Sequence, residues 1–169
     1  MPICTGGGVM AIKVLRVAQS ELLGPSDGAQ DRFLLSALDT NGRVSLVEHH
    51  APPGTLIAPL HRHNKEDEFS LVLDGRMGAV SDGAEIEAGA GDLVFKPRNA
   101  WHTFWNAGDT PVRILEVISP GGLDELFRAL DVLDAFPEPD ELERLTAPYG
   151  VDLDMEGTMA LLERHGLRF

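Results

Sequence analysis

Three histidines and one glutamate in this sequence carry side chains that bind metal ions, and two of the histidines are spaced so that they can share one ion. His61 and His63 are two residues apart, so on a β-strand both imidazoles point to the same side while Arg62 points away. After a polar run that is typical of a turn, Glu68 opens the apolar stretch 69–73. A hairpin at that turn brings the Glu68 carboxylate near the two histidines.

The third histidine, His102, begins another aromatic-rich segment, after a stretch that contains Gly91 and Pro97. An isolated His-x-His pair on a strand is often only a polar face. Here the pair is followed by a strand-initiating glutamate and by a separate block of glycine, proline, histidine and asparagine. This combination favours a metal site, while the ligand types leave the identity of the metal open.

These residues resemble the two sequence motifs of the cupins. The first cupin motif is a glycine, a short gap, His-x-His, three or four residues, a glutamate, six residues and a glycine. It is matched, with a first gap one residue longer than usual, by Gly54, His61, His63, Glu68 and Gly75.

The second cupin motif is a glycine, five residues, Pro-x-Gly, two residues, a histidine, three residues and an asparagine. It is matched by Gly91, Pro97, His102 and Asn106. Asn99 stands where the glycine of Pro-x-Gly is expected. Asparagine is the non-glycine residue that best tolerates a positive φ, so the turn stays plausible.

The resemblance spans about residues 54–106, and flanking strands extend it to about 33–119. It implies an all-β core folded as a double-stranded β-helix, or jelly-roll barrel. It also implies a divalent transition metal, which is Fe, Mn, Ni, Cu or Zn, held by His61, His63, Glu68 and His102. The resemblance does not choose a reaction, because cupins include dioxygenases, isomerases, decarboxylases, cyclases and non-catalytic ligand sensors.

The expected ligand set bears on the chemistry of the site. A six-coordinate ion held by three imidazoles and one carboxylate keeps two positions for water, substrate or dioxygen, whereas tetrahedral zinc held by all four keeps none. The small single-domain cupins similar to quercetin dioxygenases suggest a dioxygenase acting on a small organic molecule, with Glu68 as the catalytic acceptor of a substrate proton. A non-oxidative isomerase, cyclase or decarboxylase and a non-catalytic binding protein stay open as alternatives.

The residues that share a face with the ligands are the predicted substrate pocket. Ser70 and Val72 follow Glu68 at alternate positions, and Phe104 and Asn106 follow His102 in the same way. Apart from the ligands, the sequence gives no strong signal of an acid/base pair. His49 and His50 are adjacent, point to opposite faces and cannot chelate one ion together. Glu66 and Asp67, in the turn before Glu68, are candidates for partners of the ligands or, in a different loop register, for an alternative ligand, but we expect both to be exposed.

The pattern of strands and helices sets the surroundings of this site. Short apolar segments separated by turns fill residues 33–119 and predict an antiparallel barrel, after an N-terminal lead and strand at 1–32. Apolar residues recur at helical spacing from 121, which predicts a helical extension at 120–169 packed on the barrel. The outward face of 69–73 is also apolar and requires cover from these helices or from a second copy, so we expect a homodimer.

Composition narrows the range of partners. The net charge of −13 and the pI of about 4.7 argue against nucleic acids and anionic membranes, because a phosphate-binding face needs clustered Lys and Arg. No run of apolar residues is long enough for a membrane span, and the first ten residues lack the pattern of a signal peptide. With Cys4 as the single cysteine, the sequence predicts a cytoplasmic protein whose partner is a small molecule.

Overall fold

The described part of the chain forms two antiparallel sheets that face each other. A computed structural model describes residues 14–133 and 137–169. The first sheet has the strand order β1 (Glu21–Leu23), β2 (Gln30–Leu35), β3 (Ser45–Ala51), β10 (Val112–Ser119), β5 (Asp67–Asp74) and β8 (Leu93–Lys96). The second has the order β11 (Val151–Leu153), β4 (His61–His63), β9 (His102–Asn106), β6 (Arg76–Ser81) and β7 (Ala84–Gly89). This arrangement confirms the predicted double-stranded β-helix.

The core lies between the two sheets because alternate residues of each strand point inward. On β10, Val112, Ile114, Glu116 and Ile118 are buried, and the residues between them are more exposed. Val112 and Ile114 belong to the same apolar cluster as Met77 on β6 and Phe104 on β9. The buried Glu116 is the charged residue on this inward face of β10, and it lies beside the candidate site.

Two turns show why Gly75 and Asn99 suit their positions in the two cupin motifs. Gly75 joins β5 to β6 with φ of 79°, and a Cβ atom there would lie 2.8 Å from the Pro111 carbonyl oxygen. Asn99 takes φ of 67°, as expected from its place in the second motif. Its amide donates to the His63 carbonyl oxygen at 2.8 Å, so this turn is fastened to the strand that carries two of the histidines.

In its described residues, the C-terminal extension contains three α-helices, a 3-10 helix at Ala147–Tyr149 and one strand. The helices are α1 (Leu123–Asp131), α2 (Pro139–Thr146) and α3 (Met155–His165). Asp154 caps α3 by accepting a hydrogen bond from the Gly157 amide at 2.8 Å. Strand β11 was not expected from the sequence. It pairs with the histidine strand β4, with Val151 opposite His63 and Leu153 opposite His61.

The helices do not cover the outer face of β5 and β8. Leu93 is 61% exposed and Phe95 is 53% exposed there, and the Phe95 ring stacks on Phe69 at 5.0 Å. Trp105, by contrast, is buried beneath α3, where its ring lies 4.7 Å from that of His165. Trp105 therefore does not form part of the exposed face.

The structure describes only part of the N-terminal region for which the sequence made predictions. Cys4 lies outside the described residues, as do residues 11–13 of the strand that the alternating pattern of 11–17 predicts. Residues 14–17 are described and do not form a strand, and Val17–Gln19 is a short 3-10 helix, so the prediction was wrong for this part. In the part of the chain that is described, the helices are all too short or too polar to cross a membrane.

Candidate metal centre

The four predicted ligands converge inside the barrel. One ligand atom from each of His61, His63, Glu68 and His102 lies within 4.8 Å of the others, and all four residues are buried. The histidines come from the second sheet, in which His61 on β4 pairs with His102 on β9. Glu68 comes from β5 in the facing sheet. The cluster therefore joins the two sheets across the core and could bind a metal ion.

Hydrogen bonds orient two of the imidazoles towards the centre of the cluster. The Nδ1 atoms lie 2.8 Å from the Pro59 carbonyl oxygen for His61 and 2.9 Å from the Ala100 carbonyl oxygen for His102. A carbonyl only accepts, so each Nδ1 carries a proton and donates it, which leaves the Nε2 lone pair free in a neutral ring. This tautomer is the one that binds a metal through Nε2.

The distances within the cluster suit an ion better than direct hydrogen bonds. Glu68 oxygens lie 3.5 Å from His63 Nε2 and 3.4 Å from His102 Nε2, which is long for a hydrogen bond. Among the described residues, neither Nε2 atom has a hydrogen-bond partner although both are buried. Buried polar nitrogens are normally satisfied, so three imidazoles and a carboxylate in this arrangement fit a divalent transition metal.

A buried lysine holds the carboxylate ligand. Lys96 Nζ lies 2.8 Å from Glu68 and 2.9 Å from Glu116, and Ser70 donates to Glu116 at 2.7 Å. Burial raises the pKa of Glu68, but Lys96 and the neighbouring histidines outweigh burial and lower it well below its usual value. Burial raises the pKa of Glu116, which shares the same cation. Glu68 is therefore ionised and ready to bind a cation.

The surroundings of His61 and His63 shift the pKa values of these two ligands in opposite directions. Burial and then the neighbouring His102 lower the pKa of His61 well below its usual value, so its ring is neutral. Burial also acts to lower the pKa of His63, but the carboxylates of Glu68 and Glu66 outweigh it and raise the value. Glu66 is only 5% exposed and lies 3.8 Å from His63 Nδ1, so the expectation that it is exposed was wrong. The backbone turn folds it inward, against the back of the ligand.

Asp67, on the other side of the turn, is part of a surface ion pair. Arg98 binds both of its carboxylate oxygens, at 3.0 and 2.6 Å. These contacts lower the pKa of Asp67 to about 2. The pair ties the loop after β8 to the beginning of β5, next to Glu68.

The cluster opens onto a cavity of about 630 Å³ through His61 and Glu68. One wall comes from the barrel and includes Ile57 and Phe104. The other comes from the C-terminal extension, and its lining includes Leu126, Phe127, Leu130, Leu142, Val151 and Leu153. The cavity is in the size range of small-molecule sites and is mainly apolar. The extension thus completes a pocket whose metal ligands come from the barrel.

Among the four residues predicted to line a substrate pocket, Phe104 borders this cavity. The other three are not among its described lining residues. Ser70 is bonded to Glu116, and Val72 is packed in the apolar core. The Asn106 amide donates to the Ala51 and Thr110 carbonyl oxygens at 2.9 and 2.8 Å, which fastens the end of β9 to neighbouring loops.

The cavity also holds an acid/base pair that sequence reasoning missed. His49 Nδ1 lies 2.6 Å from Asp31 Oδ1, and both residues are buried in the cavity wall. They face each other in the register of β2 and β3, where Asp31 is opposite His49. His50, on the other face of β3, is partly exposed and pairs with Glu48 at 2.8 Å. The sequence carried no strong signal for this pair, because it forms through the register of β2 against β3.

Comparison with known proteins identifies the family. Residues 47–118 match the family model described as a cupin domain. The chain belongs to the cupin superfamily. It is 32% identical over 90 residues to an uncharacterized protein of Methanocaldococcus jannaschii, a match that covers 53% of this cupin and 71% of that protein.

Two further relatives of this cupin have functional names. Quercetin 2,3-dioxygenase from Bacillus subtilis is 28% identical over 99 residues, which is 59% of this chain but only 29% of the length of that enzyme. The crystal structure of a predicted oxalate decarboxylase from Thermotoga maritima superposes with a TM-score of 0.59 at 24% identity. That match covers 64% of this cupin and 99% of the other chain, and it supports the fold.

Proposed function

We propose that this cupin is a metal-dependent dioxygenase that acts on a small, largely apolar organic molecule, similar to the quercetin 2,3-dioxygenase that it matches. The observation that carries the proposal is the meeting of the candidate metal centre and the apolar cavity. His61 and Glu68 belong to both, so a molecule in the 630 Å³ cavity can reach an ion held by the four ligands.

The residues of the site have distinct roles in this proposal. His61, His63, Glu68 and His102 would hold the ion, and the chemistry that it would supply is polarisation of a substrate oxygen and an open position for dioxygen. Phe104 and the aliphatic side chains of the extension hold the substrate ring and exclude water. Lys96 keeps Glu68 ionised, so the carboxylate can accept a proton from a substrate hydroxyl.

The charge of the cavity argues against a substrate that carries negative groups away from the metal centre. Among the described residues that line the cavity there is no lysine or arginine, while Asp31 and Asp131 both contribute carboxyl groups. Burying a negative charge of the ligand in this wall, out of reach of an ion held by the four ligands, is costly. A neutral, ring-containing molecule with hydroxyl groups fits the lining better.

The test is dioxygen uptake by reconstituted protein. Purified protein is stripped of metal, loaded with Fe(II), Mn(II), Ni(II) or Cu(II), and mixed with quercetin in an oxygen electrode. We expect uptake with at least one metal, and no uptake by the matched variant in which His61 and His102 are both replaced by alanine. Conversion of the flavonol without uptake would support a non-oxidative enzyme. Tight binding with no conversion would support a sensor.

A further inference from the structure

A second polar cluster lies in the wall of the cavity, outside the metal centre. It consists of Asp31 on β2, His49 on β3 and Asp131 at the end of α1. His49 is 3% exposed and its Nδ1 is engaged by Asp31 at 2.6 Å. Nε2 is the ring nitrogen left for a ligand in the cavity. Nothing in the metal centre requires this cluster, so it needs a separate explanation.

The cluster and the metal centre lie at different positions along the barrel. His49 is opposite Ile114 on β10, whereas Glu68 is opposite Ile118. These positions are separated by about 14 Å along the strand, at roughly 3.4 Å per residue. The Phe104 ring lies between them, 5.3 Å from the His49 ring and 4.0 Å from Lys96 Nζ. A molecule that reaches both therefore spans at least one aromatic side chain.

The charges around His49 make it a hydrogen-bond donor. Asp31 on β2 contacts His49 directly, Glu116 on β10 and Lys96 on β8 also act on its charge, and His49 in turn acts on Asp131 at the end of α1. Burial acts to lower the pKa of His49, but Asp31 outweighs it and the pKa is raised. The ring therefore holds a proton on Nε2 over a wider pH range than an ordinary histidine does.

Asp131 supplies the complementary group. Burial and the nearby Asp31 raise the pKa of Asp131 to about 7. Its Oδ2 atom is buried, and within the described residues no hydrogen-bond partner contacts that oxygen. A hydroxyl group suits this pair because its oxygen accepts a hydrogen bond from an imidazole while its proton is donated to a carboxyl oxygen. Satisfying a buried carboxyl oxygen in this way is favourable.

We propose that Asp31, His49 and Asp131 form a hydroxyl-binding subsite that anchors one end of an aromatic ligand while the other end reaches the metal centre. The substrate class that follows is a phenol or polyphenol of at least two rings. The ligand is the substrate of the proposed dioxygenase. The part of this proposal that places the other end of the ligand at the metal centre rests on that proposed function. The subsite itself depends only on groups that are present without metal.

The test compares 2-naphthol with naphthalene, two fluorescent probes that differ by one hydroxyl group, on metal-free protein in EDTA. We expect the Kd ratio to favour 2-naphthol by about tenfold more in the wild type than in His49→Phe, which corresponds to one hydrogen bond to a charged group. Naphthalene binding should change little. His50→Gln, on the same strand but facing outward, should keep the wild-type ratio. An equal ratio in the wild type and His49→Phe would overturn the proposal.

A second measurement needs no substitution at His49. In protein with ¹⁵N-labelled histidines, 2-naphthol should shift the Nε2 resonance of His49, and naphthalene should leave it nearly in place. An unchanged His49 signal with 2-naphthol bound would reject the subsite. Failure of the proposed function is distinguishable, because dioxygen uptake requires metal-loaded protein. If the protein prefers 2-naphthol to naphthalene but takes up no dioxygen, the subsite stands and the dioxygenase is rejected. If it takes up dioxygen but shows no such preference, the dioxygenase stands and the subsite is rejected.

Discussion

Replacing Lys96 with methionine tests how much the buried ammonium group of Lys96 stabilises the fold by neutralising the two carboxylates beside the metal centre. Lys96 is 1% exposed and its ammonium group contacts both Glu68 and Glu116. Methionine has a similar length but no charge, so two carboxylates are left in the core without their cation. Removing one member of a buried ion pair costs about 3–5 kcal/mol. We expect the lower end of this range for metal-free protein, because nearby histidines can take up protons to compensate.

A bound metal ion changes the expected loss. A divalent cation next to Glu68 replaces the charge that Lys96 supplied, so the destabilisation of Lys96→Met should fall to about 1 kcal/mol when metal is saturating. The assay is urea unfolding followed by circular dichroism, in EDTA and in excess Mn(II). Lys65→Met is the matched control, because Lys65 is exposed and a substitution there should cost less than about 0.5 kcal/mol.

Two results would contradict this reasoning. The first is a Lys96→Met protein in EDTA whose free energy of unfolding lies within about 1 kcal/mol of the wild type. The second is an equal loss with and without metal. Combining Lys96→Met with Glu116→Gln gives a further check, because removal of the second carboxylate should recover a large part of the stability.

Three other predictions concern the metal, the pH dependence and the assembly. Replacing His61 and His102 together with alanine should abolish stoichiometric metal in elemental analysis and leave the far-ultraviolet circular dichroism unchanged; retained metal would mean a different ligand set. The Asp131 carboxyl has a pKa of about 7 in the fold against 3.8 in its unperturbed state, so its ionisation weakens the fold as pH rises from about 4 to 7. Asp131→Asn should therefore raise the Tm by several degrees at pH 8 and by less at pH 5, and an equal shift at both would refute this cause. Light scattering should show a dimer that Phe95→Glu converts to a monomer, because Phe95 and Leu93 form an exposed apolar face; a wild-type monomer would remove the basis for this expectation.

Local spacing predicted the pair of His61 and His63, while the barrel and the convergence of Glu68 and His102 on that pair followed from the resemblance to the cupin motifs. Alternation on a strand puts His61 and His63 on one face whatever the rest of the chain does. The positive φ of Asn99 could also be anticipated, because the turn preceding His102 requires it and asparagine tolerates it.

The features that the sequence did not predict depend on pairing between strands that are far apart in the chain. The pairing of Asp31 with His49 follows from the register of β2 against β3, which sequence periodicity alone does not give. Lys96 had a weak local signal, because it shares a strand face with the buried Val94, but a lysine at a strand end is normally expected in water. Strand β11 has only three residues and is defined by its partner β4, so tertiary pairing rather than local propensity determines it.

The central claim is that one divalent ion binds between the two sheets, next to the apolar cavity. The most direct measurement is an anomalous-difference map from crystals grown with Mn(II), collected near the absorption edge of manganese. We predict one strong peak within about 2.0–2.3 Å of an imidazole nitrogen of each of His61, His63 and His102 and of a Glu68 oxygen. A map without a peak among these four residues, in protein that binds one Mn(II) per chain in solution, would contradict the account.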